Sequence, residues 1–151
     1  MELSEIVDAF VAKLNLSGME KDADGIYSID VDGMTISFSE VVESRSVAIY
    51  GEVGEMPVEG RDKFCEVVMK ANFMGQGTGG ATLSLDESGE VLYMHRVLPL
   101  VALDGDSFFT VVESFINMLE TWRNLSADYR PSDEVETVGS VRDSVEEWLR
   151  A

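Results

Sequence analysis

The stretch that decides the fold runs from Met74 to Leu103 and reads MGQGTGGATLSLDESGEVLYMHRVLPLVAL. A glycine-rich loop leads into an alternation of apolar and polar residues up to Asp86, and a second alternating run follows Gly89. Alternation with a period of two is typical of a strand with one buried face. The stretch therefore predicts a β-hairpin. Its second strand carries apolar residues on both faces, which predicts a central place in a sheet.

A second hairpin is predicted upstream. The alternating runs Ile26–Val31 and Met34–Ser39 are separated by Asp32-Gly33, a dipeptide that strongly favours a tight turn between antiparallel strands. A third run, Ser46–Glu52, continues the pattern. Together these runs predict an antiparallel meander of three strands.

Three segments show the three- and four-residue spacing of an amphipathic helix. They are Leu3–Leu14, about Arg61–Asn72, and Asp106 to about Leu125. The same spacing recurs between Val135 and Leu149 and predicts an extra C-terminal helix, although Gly139 weakens its first turn. The predicted fold class is α+β. It has an antiparallel sheet of about five strands with helices, in the order α-β-β-β-α-β-β-α plus the extra C-terminal helix.

Length and composition bound the domain organisation. The chain has 151 residues, of which 45% are hydrophobic, and no internal repeat. We expect one α+β domain over residues 1–126, followed by a polar connector and C-terminal amphipathic helix over residues 127–151. No apolar run is long enough to span a bilayer and no signal peptide is recognisable, so we expect a cytoplasmic protein without membrane insertion. The single cysteine, Cys65, excludes an internal disulfide.

The charge balance excludes one class of partner. The chain carries 29 acidic and 11 basic residues, which gives a formal net charge of -18. Such an excess repels nucleic acid and anionic lipid, so no nucleic-acid partner is expected. It also keeps a protein soluble when apolar patches are exposed, which suits a protein that handles other polypeptides.

The glycine loop Gly75–Gly80 matches the spacing Gly-x-Gly-x-x-Gly of dinucleotide sites. Those sites need a strand before the glycines and a helix after them, so that a phosphate can sit on the helix N-terminus. Here the predicted order is reversed, with a helix before and a strand after. The loop is therefore predicted to be a flexible connector rather than a nucleotide site.

Other candidate chemistry is equally weak. Asp22–Gly25 and Asp30–Gly33 resemble calcium loops, but the required acids and glycine are missing at the fifth and sixth positions, so we interpret them as turns. Cys65 and His95 are the only residues of their types, and the cysteine lies in an apolar helix pattern without an activating signature. We predict no enzymatic activity, no cofactor and no metal site.

Several short sequences together resemble one known family. They are Lys70-Ala-Asn-Phe, the glycine loop, Gly80-Ala-Thr-Leu-Ser-Leu-Asp-Glu-Ser-Gly, Arg96-Val-Leu-Pro-Leu, and the helix from Leu103-Asp-Gly-Asp-Ser-Phe-Phe to Glu120-Thr-Trp-Arg. In this order they resemble the class I type III secretion chaperones, or Tir-chaperone family, over residues 1–125. The resemblance implies a homodimer without enzymatic activity. Such a dimer binds the N-terminal segment of a secreted effector, keeps it soluble and partly unfolded, and targets it to the secretion machinery.

The resemblance also implies two sets of contact residues. The second helix and fourth strand would supply the dimer interface, and the first helix and first three strands would contact the effector. The expected dimer residues are Phe64, Val67, Val68, Leu83 and Leu85. The expected effector-binding residues are Phe10, Ile36, Phe38, Ile49 and Tyr50, any of which could equally belong to the core, Phe10 above all.

Two alternatives stay open at this point. One is a regulatory or protein-interaction domain with the same fold that binds a folded partner, or assembles with itself, through the C-terminal helix. The other is an enzyme that binds a nucleotide or small molecule at the glycine loop.

Overall fold

A computed structural model describes residues 1–131. Three helices and five strands follow one another in the predicted α+β order. They are α1 (Leu3–Lys13), β1 (Tyr27–Val31), β2 (Met34–Val41), β3 (Ser46–Glu55), α2 (Arg61–Asn72), β4 (Thr82–Leu85), β5 (Val91–Pro99) and α3 (Gly105–Asp128). Short 3-10 turns cover Val42–Ser44, Phe73–Gly75 and Leu100–Ala102. The helix predicted between Val135 and Leu149 lies outside the described residues.

The five strands form one sheet in the order β1-β2-β3-β5-β4. The strands β1 and β2 pair antiparallel, as do β2 and β3, which confirms the predicted meander. The strand β5 lies between two neighbours, as its apolar residues on both faces predicted. The edges of the sheet are β1 and β4.

The turn between β1 and β2 is a two-residue type I′ turn. Asp32 and Gly33 have φ angles of 50° and 78°, and this pair of positive values matches the twist of antiparallel strands. Side chains then separate by face along the pairs that follow. Tyr27 opposes Phe38 and Ile29 opposes Ile36 on the buried face. On the other face the Ser28 and Ser37 hydroxyls are 3.0 Å apart, and the Thr35 hydroxyl donates to Asp30 at 2.7 Å.

The chain divides into two compact units. The first comprises residues 1–51 and 95–116. Its core contains three phenylalanine rings, from α1, β2 and α3, whose centroids lie 5.2 to 5.8 Å apart in edge-to-face contacts. These are Phe10, Phe38 and Phe108. The aromatic cluster therefore ties both helices of this unit to the sheet.

The second unit comprises residues 52–94 and the chain from Asn117 onward. Its largest core side chains are at most 1% exposed, namely Phe64, Leu92, Met94, Leu119 and Trp122. The α3 helix ends at Asp128, and the ring of Tyr129 then packs on Phe64 with centroids 4.8 Å apart. The domain boundary predicted after residue 126 thus falls in the last turn of α3.

The glycine loop is a packed connector between α2 and β4. Thr78 is 1% exposed and its hydroxyl donates to the Ala81 carbonyl. The Gly77 carbonyl accepts a hydrogen bond from the Trp122 indole at 3.0 Å, and a Cβ at Gly77 would lie 2.7 Å from the Ala71 Cα. The amides of Gln76, Gly77, Thr78 and Gly80 donate to carbonyls within residues 71–75. Its position as a helix-to-strand connector is as predicted, but these contacts hold it in place, and flexibility is not what its glycines provide.

Candidate interaction surfaces

The outer edge of β1 offers unpaired strand geometry. In a two-residue hairpin the residues that flank the turn form a hydrogen-bonded pair, so Tyr27, Ile29 and Val31 exchange bonds with β2. The N–H and C=O groups of Ser28 and Asp30 therefore point to the other side, where residues 1–131 contribute no further strand. An extended polypeptide could add there as an extra strand.

Four of the five predicted effector-binding residues lie in the core of the first unit. Ile36, Phe38 and Ile49 are 0% exposed and Phe10 is 2% exposed. Tyr50 is half-buried and opposes Ser37 on the polar face of the sheet. A buried side chain reaches another polypeptide only if its core opens, so the four core residues shape the sheet while Tyr50 presents surface.

The first unit also exposes apolar side chains that the sequence did not predict as contact residues. Val42, Val97 and Val101 are 71%, 51% and 92% exposed. Beside Val101 is a hollow of about 220 Å³, lined by Met1, Ser44, Arg45, Pro99, Leu100 and Val101. The Leu100 N–H donates to the Arg45 carbonyl at 2.9 Å, which fixes one wall of the hollow. Its size suits a single apolar side chain. Periodicity gave no signal for it, because its residues lie before α1, in or next to short 3-10 turns, or at the end of β5.

The residues predicted for the dimer interface are mostly buried in the single chain. Phe64, Val67, Val68 and Leu83 are between 0% and 7% exposed. Only Leu85, at the end of the edge strand β4, is open, with 42% of its surface exposed. Burial in the single chain means that these four side chains present little surface to a second copy.

A different apolar surface is exposed at the end of α2. It consists of Met69, Phe73 and Met74, which are 74%, 68% and 81% exposed, and we call it the α2 face. Met69 lies in α2 and Phe73, four positions further on, is the residue that follows its last turn, so both project from one side of the helix end. The sequence signal was this apolar pair lying off the buried stripe of α2.

Met74 has an unusual backbone. Its φ angle is 55°, in the left-handed region, and Gly75 follows with a φ angle of 67°. A residue with a side chain costs roughly 1–2 kcal/mol there, whereas glycine is tolerated freely. This conformation turns the chain out of α2 and leaves the Met74 side chain in solvent. Met74 thus combines a strained backbone with an exposed apolar side chain, a combination that is found at functional sites.

Asn72 fixes the α2 face relative to β4. Its side-chain oxygen accepts the Leu83 N–H at 2.8 Å, and its side-chain nitrogen donates to the Leu83 carbonyl at 2.9 Å. One asparagine thus occupies the edge of β4 at Leu83 in the way that a neighbouring strand would. These two hydrogen bonds join the end of α2 to the edge of β4.

The α2 helix differs in charge from the rest of this acidic chain. It has three basic residues, Arg61, Lys63 and Lys70, and two acidic ones, so its net charge is +1. Lys70 lies 2.8 Å from Glu66. The hydrogen bond from Lys70, then its charge and that of Lys63, lower the pKa of Glu66 below its usual value. Because the folded-state pKa is lowered, this ion pair favours the folded state near neutral pH and is lost as the pH falls through that pKa.

The acidic turns behave as ordinary turns. The Asp24 and Ile26 amides both donate to the Asp22 carboxylate at 2.9 Å, which confirms a turn role for this aspartate. Among residues 1–131, no cluster of three or more histidine, cysteine or acidic side chains could hold a metal ion. No helix in the same range combines the length and apolar character needed to cross a bilayer.

These features define an α+β protein with an open strand edge and exposed apolar patches. The family profile of the Tir chaperone protein (CesT) family matches residues 5–123, and the chain belongs to this family. The match confirms the resemblance drawn from the sequence. It also places the chain among non-enzymatic type III secretion chaperones, which confirms that the protein is not an enzyme.

Individual relatives agree with the family. The Chlamydia pneumoniae protein CPj0713/CpB0740 is 28% identical over 122 residues, which cover 80% of this chain and 92% of that protein. Among solved structures, a chain of the ExsC–ExsE complex has a TM-score of 0.70 at 15% identity and covers 83% of this chain and 97% of its own length.

Two other solved structures are similar. A chain of the HopA1–SchA chaperone–effector complex has a TM-score of 0.66 at 16% identity and covers 79% of this chain and 91% of its own. The other is a chain from the complex of the Yersinia pestis type III secretion chaperone SycH with a stable fragment of YscM2. It has a TM-score of 0.63 at 16% identity and covers 79% of this chain and 98% of its own length. At these identities the likeness establishes the fold.

Proposed function

We propose that this chain acts in the cytoplasm as a homodimeric type III secretion chaperone. It binds the N-terminal segment of a secreted effector, keeps that segment soluble and partly unfolded, and delivers it to the secretion machinery. The observation that carries the proposal is the family match, which spans residues 5–123 and so nearly all of the described fold. Solved structures with the same fold include a chaperone–effector complex and a secretion chaperone with a protein fragment bound.

The β1 edge and the first unit supply the proposed client surface. The outward backbone groups of Ser28 and Asp30 would pair with an extended client, and main-chain pairing is tolerant of client sequence. Tyr50 and the hollow beside Val101 would take client side chains. Phe10, Ile36, Phe38 and Ile49 would hold the sheet in the shape that the client meets.

The α2 face and β4 supply the proposed dimer surface. Leu85, Met69, Phe73 and Met74 would be buried against a second copy, with the predicted residues Phe64, Val67, Val68 and Leu83 packed beneath them. Methionine adapts its shape and suits such a contact. The high negative charge would keep the dimer soluble while its client surfaces remain open.

Co-expression tests the function. The full chain would be co-expressed with the N-terminal segments of candidate secreted proteins, starting with those encoded by neighbouring genes. The molar mass of each complex would be measured by light scattering. We expect a stable complex of two chaperone chains and one client segment. Recovery of only the free chain with every candidate would contradict the proposal. A complex formed only with an intact folded domain would instead favour the regulatory alternative.

A substitution in β1 tests the mode of client binding. Asp30→Pro removes an N–H that points to the open edge, and proline is tolerated in edge strands. Asp30→Ala is the matched control, since it also loses the contact with Thr35 but keeps the N–H. We expect Asp30→Pro to weaken client binding roughly tenfold relative to Asp30→Ala, about the effect of one or two hydrogen bonds. Equal affinities would exclude strand addition at this edge.

A further inference from the structure

The hollow beside Val101 combines an apolar cavity with a positive charge. It has a volume of about 220 Å³ and lies entirely within the first unit. Four of its six lining residues have apolar side chains, and the other two are Ser44 and Arg45. A leucine, isoleucine or methionine side chain that entered it would leave water for apolar surroundings, which is favourable.

The backbone around Arg45 fixes the shape of the hollow before any ligand arrives. Arg45 ends the 3-10 turn between β2 and β3, and its φ angle of 48° lies in the left-handed region. Its N–H donates to the Val42 carbonyl at 3.2 Å, and its carbonyl accepts the Leu100 N–H at 2.9 Å. These hydrogen bonds join the turn after β2 to the turn after β5. A preformed hollow needs little reorganisation when a ligand enters.

The charge of Arg45 is available to a ligand. Among the residues that the structure describes, its ion-pair partner is Glu2 at 3.9 Å, and the two side chains are 79% and 67% exposed. A long, exposed ion pair contributes little, so a ligand carboxylate can take the place of Glu2 at small cost. A guanidinium group holds a carboxylate through two N–H groups. The hollow therefore favours a ligand that carries both an apolar chain and a carboxylate.

We propose that the hollow binds an apolar side chain of the client together with the carboxylate of an aspartate or glutamate two positions away from it. Side chains two positions apart lie on the same face of an extended chain. The apolar side chain would enter beside Val101, and the carboxylate would pair with Arg45. The site itself follows from residues of this chain, whereas its assignment to a client rests on the proposed function.

The hollow lies within reach of a client strand at the β1 edge. The strand β1 begins at Tyr27, whereas β2 continues past it to Val41 and the turn that carries Arg45. This turn lies roughly 10 Å beyond the start of β1 and roughly 12 Å across the sheet from an added strand. The diagonal of about 16 Å corresponds to about five extended residues. In an antiparallel client, the more stable pairing, the apolar residue would follow the paired segment by about five positions.

NMR spectroscopy tests the site without a client. The probe is isocaproate, which has a branched apolar chain and a carboxylate, and it would be titrated into the isotope-labelled full-length chain. Isocaproamide keeps the chain without the charge, and acetate keeps the charge without the chain. We expect saturable shifts of the Arg45 and Val101 amides with a Kd on the order of millimolar. Either control should bind roughly fivefold more weakly or less.

Two matched pairs of variants locate the binding. Val101→Asp places a carboxylate at the rim of the hollow, and Val58→Asp makes the same change at a distant valine, the two valines being 92% and 98% exposed. Val101→Asp should weaken isocaproate binding several-fold, and Val58→Asp should leave it unchanged. Arg45→Gln should bind isocaproate and isocaproamide equally, while Arg45→Lys should keep part of the preference for the acid.

The same valine pair tests the assignment to a client. For a client recovered by co-expression, Val101→Asp should weaken binding roughly tenfold relative to Val58→Asp. Absence of saturable shifts at the hollow, or equal binding of isocaproate and isocaproamide to the unaltered chain, would overturn the site. Isocaproate binding with unchanged client affinity in Val101→Asp would assign the hollow to another carboxylate ligand and overturn its role in client binding. If no client is recovered, the proposed function fails, and the NMR result alone decides whether the hollow is a site.

Discussion

Asn72 shows how one side chain can organise a candidate interface. Asn72 is the last residue of α2. Its side-chain amide donates to the Leu83 carbonyl and accepts a hydrogen bond from the Leu83 N–H. A strand edge closed in this way cannot pair with another chain at that point. The apolar side chains on either side, Phe73 and Leu85, remain exposed.

Removal of this side chain should therefore affect stability before any partner is added. We expect Asn72→Ala to lower the free energy of unfolding by about 1–3 kcal/mol, because the Leu83 N–H and C=O lose their partners at a partly buried site. Urea denaturation measures the change. Asn117→Ala, at an exposed position of α3, is the matched control and should stay within about 0.5 kcal/mol of the parent. An unchanged midpoint for Asn72→Ala would show that water replaces the amide without loss.

At the scale of elements, the helices α1 and α3 approach each other closely. Gly105, in the first turn of α3, faces Ala9 of α1, and a Cβ added at Gly105 would lie 2.6 Å from the Ala9 Cβ. Lys13 of α1 and Asp106 of α3 form an ion pair at 2.6 Å beside this contact. Two small residues thus let the helices of the first unit touch, which brings Phe10 and Phe108 into ring contact.

A pair of substitutions tests this contact. Gly105→Ala should destabilise the protein by about 1–3 kcal/mol because the added methyl overpacks the helix contact. Ala9→Gly alone should cost about 1 kcal/mol through helix propensity. If the contact is as described, the double variant should be more stable than the sum of the two losses predicts, because glycine at position 9 makes room for the new methyl. Strict additivity in thermal or urea unfolding would contradict direct packing of the two residues.

The net charge of -18 affects the stability and the solubility of the whole molecule. Like charges spread over a small surface repel one another in the compact state, and this repulsion weakens as salt shortens the screening length from about 30 Å at 0.01 M to about 10 Å at 0.1 M. The excess of acids aids solubility of a protein with exposed apolar faces. It does so at some expense of folding stability.

The repulsion among the acidic residues predicts that the Tm depends on salt concentration. We expect the Tm to rise by several degrees between low salt and about 0.5 M sodium chloride, since screening relieves the repulsion. The variant Glu59→Gln/Glu87→Gln, which neutralises two exposed acids, should melt higher than the parent at low salt and respond less to added salt. A Tm that falls with salt would show that ion pairs such as Lys70–Glu66 outweigh the net repulsion.

The element order, the antiparallel meander and the hairpin at Asp32-Gly33 followed from the sequence. Each depends on neighbours close along the chain, namely the period of apolar residues and the turn preference of a dipeptide. The same local patterns correctly predicted a helix before the glycine loop and a strand after it. This order argued against a nucleotide site. The patterns could not foresee that Trp122, 45 residues further on, donates to Gly77 and holds the loop in place.

Only the tertiary structure decided which apolar side chains are covered. Periodicity assigns Phe10 and Phe38 to a face but cannot say that they contact each other, and it marked Val67 and Val68 without showing that they are buried in the single chain. The exposed residues turned out to be Met69, Phe73 and Met74, which lie off the buried stripe or after the end of α2. Exposure depends on contacts between segments far apart in sequence, and a local pattern carries no information about what packs against it.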